Sequence, residues 1–451
     1  MDSEVLVIGA GIAGFSAAIH CDNALIIEKG TPNTEKAQGG IAAALGEEDN
    51  EEIHLEDTLN AGAGLCDENA SRVMVEQGPK EIKDLISAGL VLDREPGMEG
   101  AHSKPRVLHF GDHTGEQVLS KLRELAEEIP KIEARVTGLL LSEGVCSGVV
   151  LENSEEITAN SVILATGGFA GLYSKHTNPS STVGDGVALA FKAGAELMDL
   201  EFVQFHPTVF DGFLISESLR GRGALLLNEK NERFVDELAG RDVVSRAMYE
   251  QLLESKVFLD ARKIPEEVIR NHFSNIYNTC LDRGFDLTKD LLPVEPAAHY
   301  TMGGVRTDLD GRTSIKNLFA CGEVACTGAH GANRIGSNSL LEGLVFGVRS
   351  GKAASRAFEA SKGEPVMLDE KISDSTRQTL WEYCGIVRNE KLLKEGLSKN
   401  PEGLAELVLK CALARDESRG AHYREDCPHS KSIAKHSFLK RDSDGVFFRL
   451  R

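Results

Sequence analysis

Apolar runs that lead into glycine mark the predicted strands of this chain. In the first 30 residues, EVLVIG predicts a buried strand, AGIAGFSAAIHC a helix and ALIIEKG a second strand. The order strand, helix, strand is that of a βαβ unit, in which the two strands lie parallel. Two later apolar runs, SVILATGG (161–168) and NLFACGEV (317–324), predict further buried strands. The hydrophobic pattern therefore predicts an α/β fold.

Two other regions have a different pattern. Between about residues 201 and 302 the elements are mixed and include a predicted helix, GRDVVSRAMYEQLLES, which indicates an inserted domain. After about Glu364 the chain is polar and predicted to be helical, as in AELVLKCALARDESRG, and it ends in a charged tail. A chain of 451 residues exceeds the size of a single core, so we expect two or three domains with room to enclose a large cofactor.

The charge of the chain narrows the range of partners. Lys and Arg total 50 against 70 Asp and Glu, which gives a formal net charge of −20 at pH 7. A field of this sign repels phosphate backbones and anionic membrane surfaces. We therefore expect neither nucleic acid nor a membrane as a partner.

Cysteine usage and hydropathy favour a cytoplasmic protein. The nine cysteines are scattered and include no CxxC pair, so we predict no disulfide framework and no zinc or iron–sulfur site. The apolar run 5–19 follows Asp2 and Glu4 rather than positive charge, which argues against a signal peptide. No later run approaches the roughly 18 to 20 apolar residues that span a bilayer.

Glycine spacing in the first βαβ unit predicts a dinucleotide site. Gly9, Gly11 and Gly14 have the GxGxxG spacing, which allows a tight turn, close approach of the backbone to a pyrophosphate, and close packing of helix on strand. The helix N-terminus then faces the phosphates, and Glu28 ends the second strand, where an acid accepts hydrogen bonds from a ribose. A glycine-rich turn in an unrelated α/β protein is the alternative. This motif alone does not separate FAD from NAD.

The later segment CGEV bears on the choice between FAD and NAD. Glu323 follows a strand in CGEV, where its carboxylate can meet the hydroxyls of a flavin ribityl chain. The helix from about Ser337 would point its N-terminus at the flavin pyrimidine and stabilise negative charge on the reduced ring.

Motifs along most of the chain resemble one family, the flavoprotein subunits of succinate dehydrogenase and fumarate reductase together with the soluble L-aspartate oxidases. The segments that carry this resemblance are VIGAGIAG, AQGGIAAALG, HLEDTLNAGAGLCD, GDGVALAFKAGAELMDLEFVQFHPT, ESLRGRGALL, EPAAHYTMGGV, GEVACTGAHGANRIGSNSLLEGLVFG and ESRGAHYRED. The resemblance implies a Rossmann-like FAD-binding domain in two parts, an inserted α+β capping domain and a C-terminal helical domain. The expected ranges are 1–200 and 303–357 for the FAD-binding domain, 201–302 for the capping domain, and 358–451 for the helical domain.

The resemblance also implies how FAD is held. In membrane-bound members a histidine five positions before the glutamine of AQGG bonds covalently to FAD, but here Asn33 stands five positions before Gln38, so we expect noncovalent FAD. The residues expected to bind the cofactor are Gly9, Gly11, Ala13, Gly14, Glu28, Lys29, Gln38, Gly39, Gly40, Ala165, Thr166, Gly167, Asp185, Glu323, Ser337, Ser339 and Leu340.

A dicarboxylate pocket is the second implication of the resemblance. Arginine's planar fork suits a carboxylate, and the family's pattern carries over onto His206, Ser216, Glu217, Arg241, His299 and Arg334. Arg334 and His299 are expected to bind one carboxylate, and His206 with Ser216 the other. Arg241 stands where the family exchanges a proton at the substrate carbon. Because a guanidinium keeps its proton at ordinary pH, that role needs help from nearby groups or a relay.

Glu99, in MEGAHS, distinguishes the possible substrates. Succinate and fumarate carry two carboxylates and no cation, so a buried acid beside them is unfavourable, whereas aspartate adds an ammonium group. By the resemblance, Glu99 matches the acid that lies near this amine in L-aspartate oxidases. The expected catalytic residues are Glu99, His206, Arg241 and His299.

The resulting hypothesis is FAD-dependent oxidation of L-aspartate to iminoaspartate, with oxygen or fumarate as acceptor, as the first step of de novo NAD biosynthesis. Quinolinate synthase is the expected consumer of the product. A soluble fumarate reductase or succinate dehydrogenase-like flavoprotein is the alternative enzyme. A flavin-binding subunit docked on an iron–sulfur partner remains a third possibility, although Asn33 and the short C-terminal region argue against it.

Overall fold

The computed structural model describes residues 4–359, 361–368, 372–442 and 445–451. Within these ranges the helices, named α1 to α13 in chain order, are Ile12–Ile19, Glu51–Ala61, Glu68–Ser87, Thr114–Leu125, Asp185–Lys192, Glu217–Gly221, Arg241–Leu252, Glu266–His272, Ser274–Asp282, Asn338–Ala354, Asp374–Tyr383, Glu390–Ser398 and Leu404–Ala414. The strands of the same ranges, β1 to β22, are Val5–Ile8, Ala24–Glu28, Ile41–Ala42, Val107–Leu108, Lys131–Glu133, Val136–Ser142, Val145–Leu151, Glu156–Thr158, Ser161–Leu164, Leu197–Met198, Val203–Phe210, Phe213–Leu214, Leu225–Asn228, Val257–Asp260, Leu292–Pro293, Glu295–Thr301, Gly304–Arg306, Leu318–Ala320, Ala325–Cys326, Glu364–Met367, Ser437–Asp442 and Gly445–Leu450.

A parallel sheet in the order β18-β9-β1-β2-β5 forms the centre of the α/β domain. Its central strand β1 is buried throughout, and Val5 pairs with Ala24 on one side and Ser161 on the other. Strand β18 arrives from a distant part of the chain and pairs with β9, with Leu318 opposite Val162. The four strands predicted from apolar runs therefore lie side by side, and the α/β class predicted from the sequence is confirmed.

Helices α1 and α10 pack unusually closely and join the two separated parts of this domain. Gly347 and Gly351 lie one turn apart on α10 and face α1. A Cβ on Gly347 would stand 2.7 Å from the carbonyl oxygen of Ala13, and one on Gly351 would stand 2.3 Å from that of Ala17. Only glycine permits this approach, which fixes α10 against the helix that follows the GxGxxG turn.

The capping domain has its own sheets and core. Its strands form the sheets β12-β11-β16 and β13-β14-β15, and a separate apolar cluster that includes Leu226, Met248 and Phe273 packs between these strands and helices α6 to α9. Asp112, from the α/β domain, accepts backbone N–H groups of Asn275 (3.2 Å) and Ile276 (2.7 Å) at the start of α9. The inserted α+β capping domain implied by the family resemblance is therefore present and contacts the α/β domain beneath it.

The C-terminal helices α11, α12 and α13 pack on one another and are followed by a hairpin. Strand β21 of this hairpin pairs with β10, and β20 pairs with β6, so the end of the chain extends two sheets of the α/β domain. In the described part of the chain, no helix combines the length and apolar character needed to cross a bilayer. The nine cysteines are all unpaired.

Candidate active site

One large cavity lies where the α/β domain meets the capping domain. It encloses an empty space of about 1660 Å³, counted to its open mouth. The GxGxxG turn and the end of β2 line one end of the cavity, while strands β11 and β16 and helix α7 of the capping domain contribute residues to the other. This shape suits a long cofactor with a smaller ligand at one end.

The glycine turn after β1 has no room for side chains at two of its three glycines. Gly9 has a φ of +113°, and a Cβ there would lie 2.2 Å from the carbonyl oxygen of Ala165. A Cβ on Gly14 would lie 1.9 Å from the carbonyl oxygen of Gly9. Gly14 therefore packs α1 onto the turn rather than lining the cavity, which is the role its place in the motif predicts.

All the other residues predicted to bind the cofactor line this cavity. They are Gly9, Gly11, Ala13, Glu28, Lys29, Gln38, Gly39, Gly40, Ala165, Thr166, Gly167, Asp185, Glu323, Ser337, Ser339 and Leu340, and Asn33 lies among them. The ammonium group of Lys29 already has hydrogen-bond partners within the chain, because its Nζ donates to Asp185 Oδ2 (2.7 Å) and to the Ser181 carbonyl (2.9 Å).

Two buried polar atoms on the cavity wall indicate what the cavity holds. Among the described residues, Gln38 Oε1 and Thr166 Oγ1 are buried and have no hydrogen-bond partner within the chain. Unsatisfied buried polar atoms are rare in native proteins, so these atoms call for a polar ligand. Together with the glycine turn, they fit a dinucleotide cofactor such as FAD.

Glu323 lies on the wall of the cavity, next to β16. Its Oε1 accepts the backbone N–H of Thr301 at 3.0 Å. Burial raises the pKa of Glu323 to about 7, against the lowering effects of that hydrogen bond and of Arg334. The side chain thus has the position predicted for it, and at neutral pH it can accept or donate a hydrogen bond.

Two arginines of the substrate end are held by a shared glutamine. Gln204 Oε1 accepts from Arg241 Nη1 (3.1 Å) and from Arg334 Nη2 (3.2 Å), and Arg334 Nη1 donates to Ser339 Oγ (2.5 Å). The guanidinium of Arg334 lies 4.2 Å above the ring of Tyr300. Burial and the charge of Arg241 lower the pKa of Arg334 to about 10, so it stays cationic at neutral pH. Its Nε is buried without a partner in the described structure, which leaves a donor for an anion.

Glu217 connects Arg241 to a third buried arginine, Arg220. Glu217 Oε2 lies 2.6 Å from Arg241 Nε and 3.6 Å from Arg220 Nη2, and its Oε1 accepts the backbone N–H of Gly100 at 2.8 Å. Burial alone would raise the pKa of Glu217, but Arg241 and Arg220 hold it below its usual value. The result is a buried chain of charge, Arg241–Glu217–Arg220, that leads away from the cavity.

His206 and His299 lie side by side, with ring centroids 5.1 Å apart. Burial, with the nearby arginines, lowers the pKa of each well below its usual value, so both rings are neutral at pH 7. His206 Nδ1 accepts the backbone N–H of Thr208 (3.3 Å), which leaves the proton of the neutral ring on Nε2 as a donor. His299 Nδ1 lies 2.8 Å from Thr177 Oγ1.

Glu99 is buried at the junction of three segments, and 2% of it is exposed. Ser218 Oγ donates to its Oε1 (3.0 Å), and Ser337 Oγ donates to its Oε2 (2.7 Å). A Cβ on Gly39 would lie 2.7 Å from Oε1, and one on Gly336 would lie 2.6 Å from Oε2. The carboxylate is thus enclosed by the cavity wall rather than exposed in a surface loop.

A buried network fixes the loop that carries Glu99. Arg106, which is fully buried, donates to both oxygens of Asp49 (2.9 Å each) and also pairs with Asp57. Arg106 Nη1 lies 3.0 Å from His102 Nδ1, and because a guanidinium only donates, His102 carries its proton on Nε2. That nitrogen donates to the Gly336 carbonyl at 2.9 Å. The network therefore ties the Glu99 loop to the segment that contains Ser337.

Four residues of this site were not singled out from the sequence: Gln204, Ser218, Arg220 and Tyr300. A signal existed for two of them, because Gln204 lies two positions before His206 in one strand and so shares its face, and Arg220 lies one helical turn after Glu217. Ser218 and Tyr300 acquire their roles from partners distant in sequence. The substrate residues predicted from the sequence, Glu99, His206, Ser216, Glu217, Arg241, His299 and Arg334, all line the cavity.

Comparisons with known proteins show the family to which the chain belongs. The FAD binding domain family matches residues 4–340, and the family described as fumarate reductase flavoprotein C-term matches residues 400–449. The L-aspartate oxidase of Saccharolobus solfataricus is 40% identical to the chain over 94% of this chain and 96% of that protein, and that of Mesorhizobium japonicum is 40% identical over 96% and 94%.

Solved structures add the fold of the whole chain. A chain of the Escherichia coli quinol fumarate reductase superposes with a TM-score of 0.92 and 29% identity, covering 100% of this chain and 96% of that one. The open conformation of a flavocytochrome c3 fumarate reductase superposes with a TM-score of 0.65 and 27% identity, covering 79% of this chain and 78% of that one.

Proposed function

The chain belongs to the L-aspartate oxidase family of FAD-binding proteins, and we propose that it oxidises L-aspartate to iminoaspartate, with oxygen or fumarate as the electron acceptor. The observation that carries this proposal is the position of Glu99. Unlike Glu217, which is paired with Arg241, Glu99 is a buried acid held only by two hydroxyls, and it has a use if the ligand carries an ammonium group between two carboxylates. Aspartate is such a ligand, and succinate and fumarate are not.

The protein's own side chains bind and orient the substrate in this proposal. Arg334, with His299, binds one carboxylate, and His206, with Ser216, binds the other. Glu99 attracts the ammonium group and takes its proton, so that the nitrogen lone pair can form the imine. Noncovalent FAD, held by the glycine turn and the cavity wall, supplies the acceptor for the two electrons that leave with the Cα hydrogen.

Proton movement at the substrate carbon needs a relay. A guanidinium is a poor base, but Arg241 Nε lies 2.6 Å from Glu217, and Glu217 lies 3.6 Å from Arg220. We propose that Arg241, next to the substrate, exchanges its proton through Glu217 and Arg220. This arrangement serves the second half of the catalytic cycle, in which fumarate reoxidises the flavin and receives a proton at carbon.

The product sets the chain's place in metabolism. Iminoaspartate is an imine that water hydrolyses, so a consuming enzyme must take it up quickly. We propose quinolinate synthase as that enzyme, in the de novo route to NAD. We also propose the cytoplasm as its location, with support from the nine unpaired cysteines.

Anaerobic mixing of the purified holoenzyme with L-aspartate tests the proposal. We expect the yellow flavin absorbance to bleach on mixing, because electrons pass from substrate to FAD without oxygen to remove them. If L-aspartate leaves the spectrum unchanged while succinate bleaches it, the assignment is wrong.

A soluble fumarate reductase is the second candidate. The similarity to the Escherichia coli quinol fumarate reductase, with a TM-score of 0.92, favours it. The guanidinium and imidazole groups of the site serve either reaction, so Glu99 separates the two. Turnover of fumarate with a chemical electron donor, in an enzyme that L-aspartate cannot reduce, would favour this candidate.

A further inference from the structure

The net charge of the buried groups at the substrate end is balanced by L-aspartate but not by a dicarboxylate without an amine, such as succinate or fumarate. Three guanidinium groups, of Arg220, Arg241 and Arg334, face two carboxylates, of Glu99 and Glu217, which leaves one positive charge among these groups when Glu323, whose pKa burial raises to about 7, is protonated. L-aspartate carries one net negative charge and neutralises this set. Succinate and fumarate carry two and leave an excess negative charge in a buried pocket, which is unfavourable.

The two buried acids differ in their ability to take up a proton. Glu217 is bound by the N–H of Gly100 and by Arg241 Nε, and both of these groups can only donate. Glu99 is bound by the hydroxyls of Ser218 and Ser337. A hydroxyl can donate or accept, so either serine can turn and receive a hydrogen bond from a protonated Glu99. Glu99 therefore keeps both hydrogen bonds when it is protonated. A protonated Glu217 would point its own hydrogen at groups that can only donate, so its protonation is unfavourable.

Most of the other titratable groups around Glu99 accept a proton poorly. Burial and the arginines lower the pKa of His206 and His299 far below neutrality. Burial also lowers the pKa of His102, and a proton on its Nδ1 would break the hydrogen bond from Arg106. Glu323, whose pKa burial raises to about 7, is the remaining competitor: its Oε1 accepts the backbone N–H of Thr301 at 3.0 Å and the Thr301 hydroxyl at 3.3 Å, and that hydroxyl can turn as the two serines at Glu99 can. A variant of Glu99 is therefore needed to show which acid holds the proton.

We propose that a dicarboxylate without an amine enters this pocket together with one proton, held by Glu99, whereas L-aspartate enters without one. The inference rests on the proposed function, because it assigns Glu99 to the substrate amine. It explains how one pocket can accept both aspartate and fumarate although a buried acid opposes the second. It also makes the choice between them depend on pH: because a dicarboxylate binds together with a proton from solution, its affinity falls relative to that of L-aspartate as the pH rises.

Proton counting by titration calorimetry tests the proposal. Anaerobic, photoreduced holoenzyme is titrated with succinate and, separately, with L-aspartate, since neither ligand can give electrons to a reduced flavin. Repeating each titration in buffers of different ionisation enthalpy yields the number of protons taken up on binding. We expect succinate to take up about one proton more than L-aspartate at a pH where Glu99 is ionised.

Two variants decide which group holds the proton. Glu99→Gln should abolish the difference and make succinate affinity independent of pH in that range. Glu95→Gln, an exposed acid in the same loop, should leave the difference unchanged. Equal proton counts for the two ligands in the unmodified enzyme would overturn the proposal. So would a difference that survives Glu99→Gln, because the proton would then lie on Glu323, a histidine or the ligand.

Failure of the proposed function gives a different result. If L-aspartate is not the substrate, it fails to bind or fails to bleach the oxidised flavin, whereas the succinate count does not depend on turnover. A normal bleaching reaction with equal proton counts would refute the proton uptake alone.

Discussion

Glu99 and Glu217 are buried in the same cavity, yet their partners give them different chemistry. Glu217 lies between two guanidinium groups that keep it ionised and connect it to Arg241. Glu99 is held by two hydroxyls and by the close backbone of Gly39 and Gly336. At the scale of single residues, the sequence shows only the type of side chain, and the neighbouring groups in the fold determine its protonation and its chemical role.

Replacing Glu99 by glutamine tests its assigned partner. Glutamine keeps the size of the side chain but has no negative charge to balance an ammonium group and cannot take its proton, whereas fumarate has no amine and so does not need either property. We expect kcat/KM for L-aspartate to fall about 100-fold or more, equivalent to about 3 kcal/mol, and fumarate reduction to change less than about tenfold. Steady-state kinetics of both reactions with the same preparation measures the two losses. Losses of equal size would remove Glu99 from amine recognition.

Gln204 is predicted to position the two arginines rather than touch the substrate. Gln204→Leu removes the acceptor that Arg241 and Arg334 share, so we expect KM for both L-aspartate and fumarate to rise about tenfold while bound FAD stays the same. Kinetics with both substrates, together with flavin absorbance per protein, checks this. Gln378→Leu, at an exposed position of α11, serves as the control. A variant that loses flavin in step with activity would contradict a positioning role.

Motif residues of the site could be predicted from the sequence because family motifs name them directly. Tyr300 could not, because its role depends on Arg334, a residue more than thirty positions further along the chain. Arg334 places its charge over the Tyr300 ring only after β16 and the segment before α10 have come together.

Helix α10 is held against α1 by glycines, and this contact positions the GxGxxG turn. Gly347→Ala would place a methyl group 2.7 Å from the Ala13 carbonyl, where backbone must move. We expect the free energy of unfolding to fall by about 2 kcal/mol and FAD affinity to weaken, since the turn moves with α1. Chemical denaturation and flavin release measure the two effects. Lys352→Ala, on the exposed face of α10, should change neither; full stability in Gly347→Ala would show that the two helices can separate without loss.

At the element scale, apolar runs predicted the strands of the parallel sheet because strands buried on both faces contain few polar residues. The C-terminal hairpin formed by β21 and β22 lacked that signal. Its sequence, SFLKRDSDGVFFRL, mixes charged and apolar residues, and one edge of the hairpin is fixed by pairing with β10, a contact that sequence distance conceals.

At the scale of the whole molecule, the C-terminal segment is bound to the α/β domain through Asp199. His436 Nδ1 lies 2.6 Å from Asp199 Oδ2, and the backbone N–H of Ser437 donates to Asp199 Oδ1 (2.9 Å). Burial alone would lower the pKa of His436, but the bond to Asp199 raises it above its usual value. The protonated ring therefore stabilises the fold fully below a pH of about 6.5, and this stabilisation is lost as pH rises through the raised pKa.

A pH series on His436→Gln tests that contact. We expect the variant to lose about 1 to 2 kcal/mol relative to the unmodified protein at pH 6, and a smaller amount at pH 9, because the stabilisation by the protonated ring is lost as the pH rises through the raised pKa. Denaturant titrations at the two pH values give the comparison. An equal loss at both values would mean that the charge of His436 does not stabilise the fold.

The domain layout was an implication of the family resemblance, whereas the contacts between domains required the structure. Asp112 binds the start of α9 across the boundary between the α/β and capping domains. The cavity lies at that boundary, so the substrate end of the site is built from parts of the chain that no single motif contains.

The most direct test of the account is the structure of the reduced holoenzyme with L-aspartate bound. We predict that a carboxylate oxygen of Glu99 lies within about 3 Å of the substrate nitrogen, while Arg334 and His206 contact opposite carboxylates. A substrate amine that faces solvent or a backbone carbonyl, with Glu99 bound to its two serines and far from the ligand, would contradict it.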